Sequence, residues 1–372
     1  MNKQIFSFFL FIIILTAIED VFIGVNDENR IIVVVTQLVG VLLGFIAFIR
    51  YLKQKSVFVF NSWFTTFILL LTFYAIFSNN FFTQFPRVLY SVLPFYIFFN
   101  AAKYGDITEK KLQFFAVIMI IVSVYQLYIG YFERQELYGD LMNVADNIAY
   151  QLLSVMVVVA VLKPKLINLI LISIVYLAIM FSLKRGAMVS ATILFIFYFL
   201  EIRRTSKNKI SYLKILGSAS FLIIIPSLIR TYSELLFYRF IIDESGGSSR
   251  TTMYTEIFSD WLDFTLFNKI IGNGFFSIGD GTTYAHSDWF QLLHDHGVLG
   301  IIIFIGVFVS LFNVRKYIRI YCIKYYLPFL GIFLVLFLKS IYSGTYMTKF
   351  DAISYGVIGL VLGTTYYNKT KS

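Results

Sequence analysis

The chain is poor in what a secreted or soluble globule relies on. A single cysteine, Cys322, in 372 residues excludes an intramolecular disulfide, so external loops are held by packing and hydrogen bonds alone. Charged residues make up only 14% of the chain, against roughly 25% in an average soluble domain, which excludes a soluble fold. Histidine is also scarce, with three in all. Too few nitrogen and sulfur ligands therefore exist to complete a metal set around His294, Asp295 and His296, whose alternate positions diverge on a helix. No metal is expected.

What is present is apolar: 59% hydrophobic residues, with 42 Phe and 26 Tyr read mainly as span packing and interfacial belts. Long apolar runs replace a domain count with a count of membrane crossings, and about twelve spans of roughly 20 residues each fit the chain. They fall near 5–23, 31–49, 57–77, 88–102, 112–132, 148–162, 166–183, 187–202, 210–230, 297–314, 325–343 and 351–367. The fold class expected is all-α, a polytopic membrane helix bundle forming one integrated membrane domain. Residues 1–230 hold the first nine spans, 231–296 one long external loop and 297–372 the last three. The first segment is read as a retained span, because Glu19 and Asp20 stand where a signal peptide would have small residues.

Orientation follows from the basic residues. With the N-terminus inside, Arg50, Lys53, Lys110, Lys111, Arg203, Arg204, Arg315, Lys316 and most other cations lie in cytoplasmic turns, as the positive-inside bias requires. Asp106, Glu109 and Glu201 are then the only acids on that side. The net charge of +10 is accounted for by topology. No basic groove interleaved with aromatics tracks a phosphate backbone, and nucleic acid is not an expected partner.

The exceptions to that bias carry the functional information. Lys184 and Arg185 sit in the outer turn Ser182-Leu183-Lys184-Arg185-Gly186, where they either snorkel to headgroups or face an anionic ligand that a guanidinium fork would match. The loop 231–296 is too long to be mere connection. Tyr232, Leu235, Leu236, Phe240 and Ile241 recur at helical spacing, as do Met253, Ile257, Phe258, Trp261 and Leu262, predicting two amphipathic helices against the membrane or the bundle. Gly246-Gly247 separates them and leaves Arg250 at the second helix's start, a place where phosphate binds readily; an ordinary exposed arginine is the alternative. Then come Gly272-Asn273-Gly274, Gly279, Gly281 and the run from His286 to Gly300. With Ser287 as N-cap, His286 is expected at the mouth of the last loop helix, where an imidazole can exchange a proton near neutral pH. Trp289 and Tyr284 are candidates for stacking on a ligand, and Asp288 and Asp295 are expected to be solvated.

In the order of these motifs the chain resembles the superfamily of O-antigen polymerases and O-antigen ligases, bacterial envelope glycosyltransferases. The likeness is carried by Ser182-x-x-Arg185-Gly186, the long external loop with an internal arginine, and the glycine-rich stretch followed by His286-Ser287, a leucine-rich helix, Gly297 and Gly300. Ser287 stands where many members have asparagine. The resemblance implies metal-independent, cofactor-free transfer of a glycan, with inversion, from undecaprenyl diphosphate to an acceptor hydroxyl at the outer face of the bacterial inner membrane. It implies that Arg185 and Arg250 hold the diphosphate, with Arg239 an alternative to Arg250, and that His286 activates the acceptor; Lys184 and Ser287 fall beside them. A chain-length regulator and a flippase are the partners it implies. A repeat-unit polymerase of O-antigen or capsule is the first expectation. A ligase onto lipid A core shares its chemistry, and a flippase or transporter is the reading from another class. No internal repeat of the transporter kind is evident.

Overall fold

The computed structural model describes residues 2–22, 31–53, 58–138, 147–182, 184–205, 249–278, 284–346 and 350–372. Every regular element among them is a helix. In chain order they are α1 (Asn2–Phe22), α2 (Ile31–Leu52), α3 (Val59–Ile76), α4 (Phe81–Val92), α5 (Pro94–Lys103), α6 (Glu109–Tyr138), α7 (Ile148–Ala160), α8 (Leu166–Phe181) and α9 (Arg185–Thr205). After the undescribed 206–248 follow α10 (Ser249–Asp263), α11 (Leu266–Ile271), α12 (Asp288–Tyr321), α13 (Tyr326–Tyr342) and α14 (Asp351–Lys371).

Seven helices among the described residues are long and apolar enough to cross a membrane: α1, α2, α3, α6, α9, α12, and α13 with the short turn Ile323–Tyr325 before it. The protein is therefore a polytopic, all-α membrane bundle. Several expected crossings take other forms. The expected span 88–102 is two helices, because Pro94 has no N–H to continue the ladder and opens α5 as its first residue. α7 and α8 are apolar but short, at 13 and 16 residues. α14 spans 21 residues but mixes glycine, threonine and tyrosine into its apolar sequence. The expected span 210–230 and the first amphipathic helix, around 232–241, lie outside the described residues.

The shorter elements occupy the centre. Every residue of α7 is buried, as is every residue of α5 from Pro94 to Ala102. α5 and α14 form the most extensive helix pair of the bundle. A side chain at Gly359 or Gly363 would strike the backbone carbonyl of Phe95 or Phe99, so these glycines let the two backbones meet at van der Waals distance, the favoured packing between helices in lipid. The outer helices turn large apolar side chains outward, among them Val34, Leu38, Leu42, Phe114, Ile121 and Val309. Such a surface suits a hydrocarbon surround.

The second expected loop helix is present as α10, followed by the short α11, with Phe258, Leu262, Leu266, Phe267 and Ile270 exposed. The last loop helix and the tenth expected span meet at Gly297. α12 runs from Asp288 to Tyr321 through a kink at Gly297, whose φ of 61° is left-handed and whose missing Cβ makes room for the carbonyls of Lys269 and Ile270. α11 thus packs into the bend of α12, and this joint fixes α11 on the bundle.

Candidate functional site

The site is assembled around the C-terminal end of α13. Arg250, in the first turn of α10, donates from a guanidinium nitrogen to the carbonyl of Tyr342 at 3.0 Å. That carbonyl belongs to the last residue of α13, where the helix dipole is negative. The Tyr342 hydroxyl donates to the carbonyl of Gly186 at 2.6 Å and takes a short hydrogen bond from Ser190. Three segments far apart in sequence, the start of α9, the start of α10 and the end of α13, are thereby tied together. Arg185 is the half-buried first residue of α9, and Lys184 precedes it with its ammonium 5.9 Å from the Tyr150 ring centre. One carbonyl takes a single bond from Arg250, and a guanidinium has five N–H donors.

His286 joins this group from the other side. Tyr254, one turn beyond Arg250 on α10, donates its hydroxyl to the His286 carbonyl at 3.2 Å, and its ring stacks on Phe290 at 4.5 Å. His286 is exposed, with φ 52°, a left-handed conformation uncommon for a residue with a Cβ. Its imidazole pKa is pushed below the usual 6.5, first by partial burial and then by the positive charges of Arg250 and Lys184. Both cations are thus felt at the imidazole, which is held neutral near pH 7 and able to accept a proton.

Below the histidine lies a built scaffold of buried carboxylates. Asp288 and Asp295, expected in solvent, are both fully enclosed, because partners from distant parts of the chain supply their hydrogen bonds. Asp288 accepts from the Tyr284 hydroxyl at 2.7 Å and from the Thr345 amide and hydroxyl at 2.8 and 2.7 Å. Burial and the Asp288 charge hold the Tyr284 phenol well above its usual pKa, so it remains a donor. Asp295 accepts from the amides of Phe276 and Ser277, the Ser277 hydroxyl and the Gln291 side chain. Gln291 in turn accepts from the Ala285 amide at 3.0 Å.

The remaining sequence candidates fall as follows. Ser287 occupies the N-cap position of α12 with an extended backbone, yet it is buried and its side chain makes no cap bond. Tyr284 touches His286 edge to face, ring centres 5.9 Å apart. Trp289 is not with the cluster: its indole donates to Ser340 at 3.0 Å and packs among Phe304, Phe308 and Phe337. Arg239 lies outside the described residues. His294 and His296 diverge, the first beside Ser277 and Phe264, the second stacked on Tyr74. No group of three His, Cys, Asp or Glu gathers among the described residues.

Sequence reasoning passed over the residues that unite the cluster. Tyr150, Tyr254 and Tyr342 are three of many tyrosines, and no spacing distinguishes them. The buried ion pair between Lys339 of α13 and Asp351 of α14 left a clearer signal, a lysine inside an apolar span. Its ammonium stands 5.3 Å from the ring centre of Tyr150, the same ring that Lys184 approaches. No family model matches the chain, and no curated protein matches it.

Proposed function

We propose that the protein is a glycosyltransferase that extends O-antigen or capsular repeat units on undecaprenyl diphosphate at the outer face of a bacterial inner membrane. In this reading about twelve spans cross the bilayer, both termini are cytoplasmic, and the cluster at the α9, α10 and α13 ends faces outward. The observation that carries it is the convergence of two cationic segments, Lys184-Arg185 and Arg250, on a histidine held neutral between them. This arrangement fits a lipid-linked diphosphate donor, whose headgroup lies at the interface where these residues gather.

The chemistry follows from the charges. As the bond between the anomeric carbon and the diphosphate oxygen breaks, negative charge grows on the leaving group, and cations fixed in advance stabilise it. Arg250, held against Tyr342, and Arg185, at the first turn of α9, hold the two phosphates, with Lys184 beside them. His286 takes the proton of the acceptor hydroxyl as its oxygen bonds to the anomeric carbon from the opposite face, which inverts that centre. The proton rests on the imidazole and the electron pair of the broken bond leaves with the diphosphate. No metal or cofactor is needed for this balance. Chain-length regulator and flippase are the protein partners this reading expects.

The test is a glycan ladder from a strain deleted for the gene and complemented with wild type, His286→Ala or Arg185→Ala. The reading expects core bearing a single repeat unit in the deletion and in both variants, and a full ladder with wild type. Bare core with carrier-linked polymer would assign a ligase, and bare core with unextended carrier-linked units held inside would assign a transporter.

A further inference from the structure

A cleft of about 550 Å³ opens between the C-terminal end of α3, the turn 77–80 and the segment 271–277. The volume is within the range of about 300–1,000 Å³ found for ligand pockets. Its walls are bonded to each other. The Tyr74 hydroxyl donates to the Ile271 carbonyl at 2.5 Å, Ser78 to the Phe275 carbonyl at 2.9 Å, and the Asn80 amide to the Phe276 carbonyl at 3.2 Å. The cleft is consequently preformed, and it is fixed to the scaffold of the candidate site, since Asn273 and Gly274 donate their amides to the carbonyls of His294 and Asp295.

Three features of its lining decide what it can hold. Among the described residues no charged side chain lines it, so a phosphate or carboxylate headgroup finds no counter-charge from them. Asn79 and Asn273 are exposed, and neither side-chain amide is taken up by a protein partner among the described residues; a lipid tail laid across them would leave these groups unpaired. Phe77 and Phe73 present open ring surface, 77% and 60% exposed, and meet edge to face at 5.2 Å. No described residue comes within 4 Å of the position a Cβ would take at Gly274. Amides that donate and accept, beside aromatic faces and without charge, match a ligand with many hydroxyls and apolar C–H faces.

We infer that this cleft binds a neutral oligosaccharide, the glycan chain being built. The inference rests on the transferase reading above and adds to it a second, non-catalytic subsite. The cleft is coupled to His286 through two ring contacts, Phe276 with Tyr284 at 6.5 Å and Tyr284 with His286 at 5.9 Å. A chain retained there after one transfer stays beside the acceptor position for the next, so the cleft sets how many units are added before release. Bond formation itself needs only the cationic cluster and the histidine.

The experiment compares the deletion strain complemented with wild type, Asn79→Ala/Asn273→Ala, or Phe77→Ala. Modal chain length, total polymer and protein abundance are read together. The inference expects at least a two-fold fall in modal length for both variants, with normal abundance and with addition of the second repeat unit retained. A wild-type ladder in both variants would overturn the cleft assignment and leave the transferase reading standing. Loss of all polymer with normal abundance would also overturn it, because the residues would then serve the transfer step. A deletion that leaves the cell's glycans unchanged would instead overturn the transferase reading, and the cleft's role with it.

Discussion

Asp295→Ala removes the clamp that shapes the loop beneath the histidine. The carboxylate accepts at 2.8 Å from the Phe276 amide, at 3.1 Å from the Ser277 amide, at 3.0 Å from the Ser277 hydroxyl and at 2.7 Å from Gln291. The serine and glutamine side chains can turn to other partners. The two backbone amides cannot, and each buried amide left unpaired costs about 1–3 kcal/mol. Phe276 adds to the load, since its φ of 54° is a left-handed conformation that costs about 1–3 kcal/mol and persists only while its surroundings enforce it. From the amides alone the variant opens the segment 272–278 more readily by roughly 2–6 kcal/mol. At about 1.4 kcal/mol per factor of ten, this is a rise of at least about twenty-five-fold in amide exchange there. Hydrogen exchange read by mass spectrometry in nanodiscs measures it, with peptides of α5 and α14 as internal controls. Asp295→Asn, which keeps one acceptor oxygen, is expected in between. Unchanged exchange over 272–278 in the alanine variant would refute the clamp.

Three further predictions concern charge, proton balance and packing. In Lys339→Met the Asp351 carboxylate stays buried without its cation, and membrane abundance should fall as stability drops by about 3–5 kcal/mol; Lys339→Met/Asp351→Leu should recover most of it, and normal accumulation of the single variant would show the pair to be dispensable. His286 acts only when neutral, and burial, Arg250 and Lys184 hold its pKa below 6.5, so transfer should persist below pH 6.5. Lys184→Gln removes one positive charge and should move the acid limb of its residual activity upward, whereas an unmoved limb would detach Lys184 from the imidazole. His296 is buried and stacks on Tyr74 at 4.5 Å, and neither ring nitrogen makes a well-formed hydrogen bond to another side chain among the described residues; His296→Phe should therefore lose less than about 1.5 kcal/mol of stability, and a larger loss would reveal a polar role.

The helical membrane architecture is legible in the apolar runs, and the segments that bear the site are legible in the residues that break them. The start of α10 at Ser249 falls just after the glycine pair Gly246-Gly247, and that of α12 at Asp288 just after Ser287, as the sequence suggests. What the sequence hides is long-range. Asp288 and Asp295 read as loop carboxylates because their donors, Thr345, Phe276 and Ser277, are brought in by tertiary packing. Gly297 reads as a boundary between loop and span, and the helical backbone does break there, but what seats in the break, the carbonyls of Lys269 and Ile270 from α11, is not legible in the sequence. The span around Pro94 reads as continuous on hydropathy alone, although the proline itself marks the break. Trp289 reads as a sugar platform by its neighbours in sequence, but on a helix its indole turns toward Phe304 and Phe308 in the bundle.

The central claim is that two cationic segments and one neutral histidine transfer glycan from a polyprenyl diphosphate. It is tested most directly with the purified protein in proteoliposomes, given the undecaprenyl-diphosphate-linked repeat unit of its own host and no other enzyme. The account predicts that wild type releases undecaprenyl diphosphate and forms lipid-linked dimers and longer chains, without added metal, and that His286→Ala and Arg185→Ala do neither while reconstituting equally well. Donor left intact by wild type, or equal turnover by wild type and His286→Ala, would contradict it.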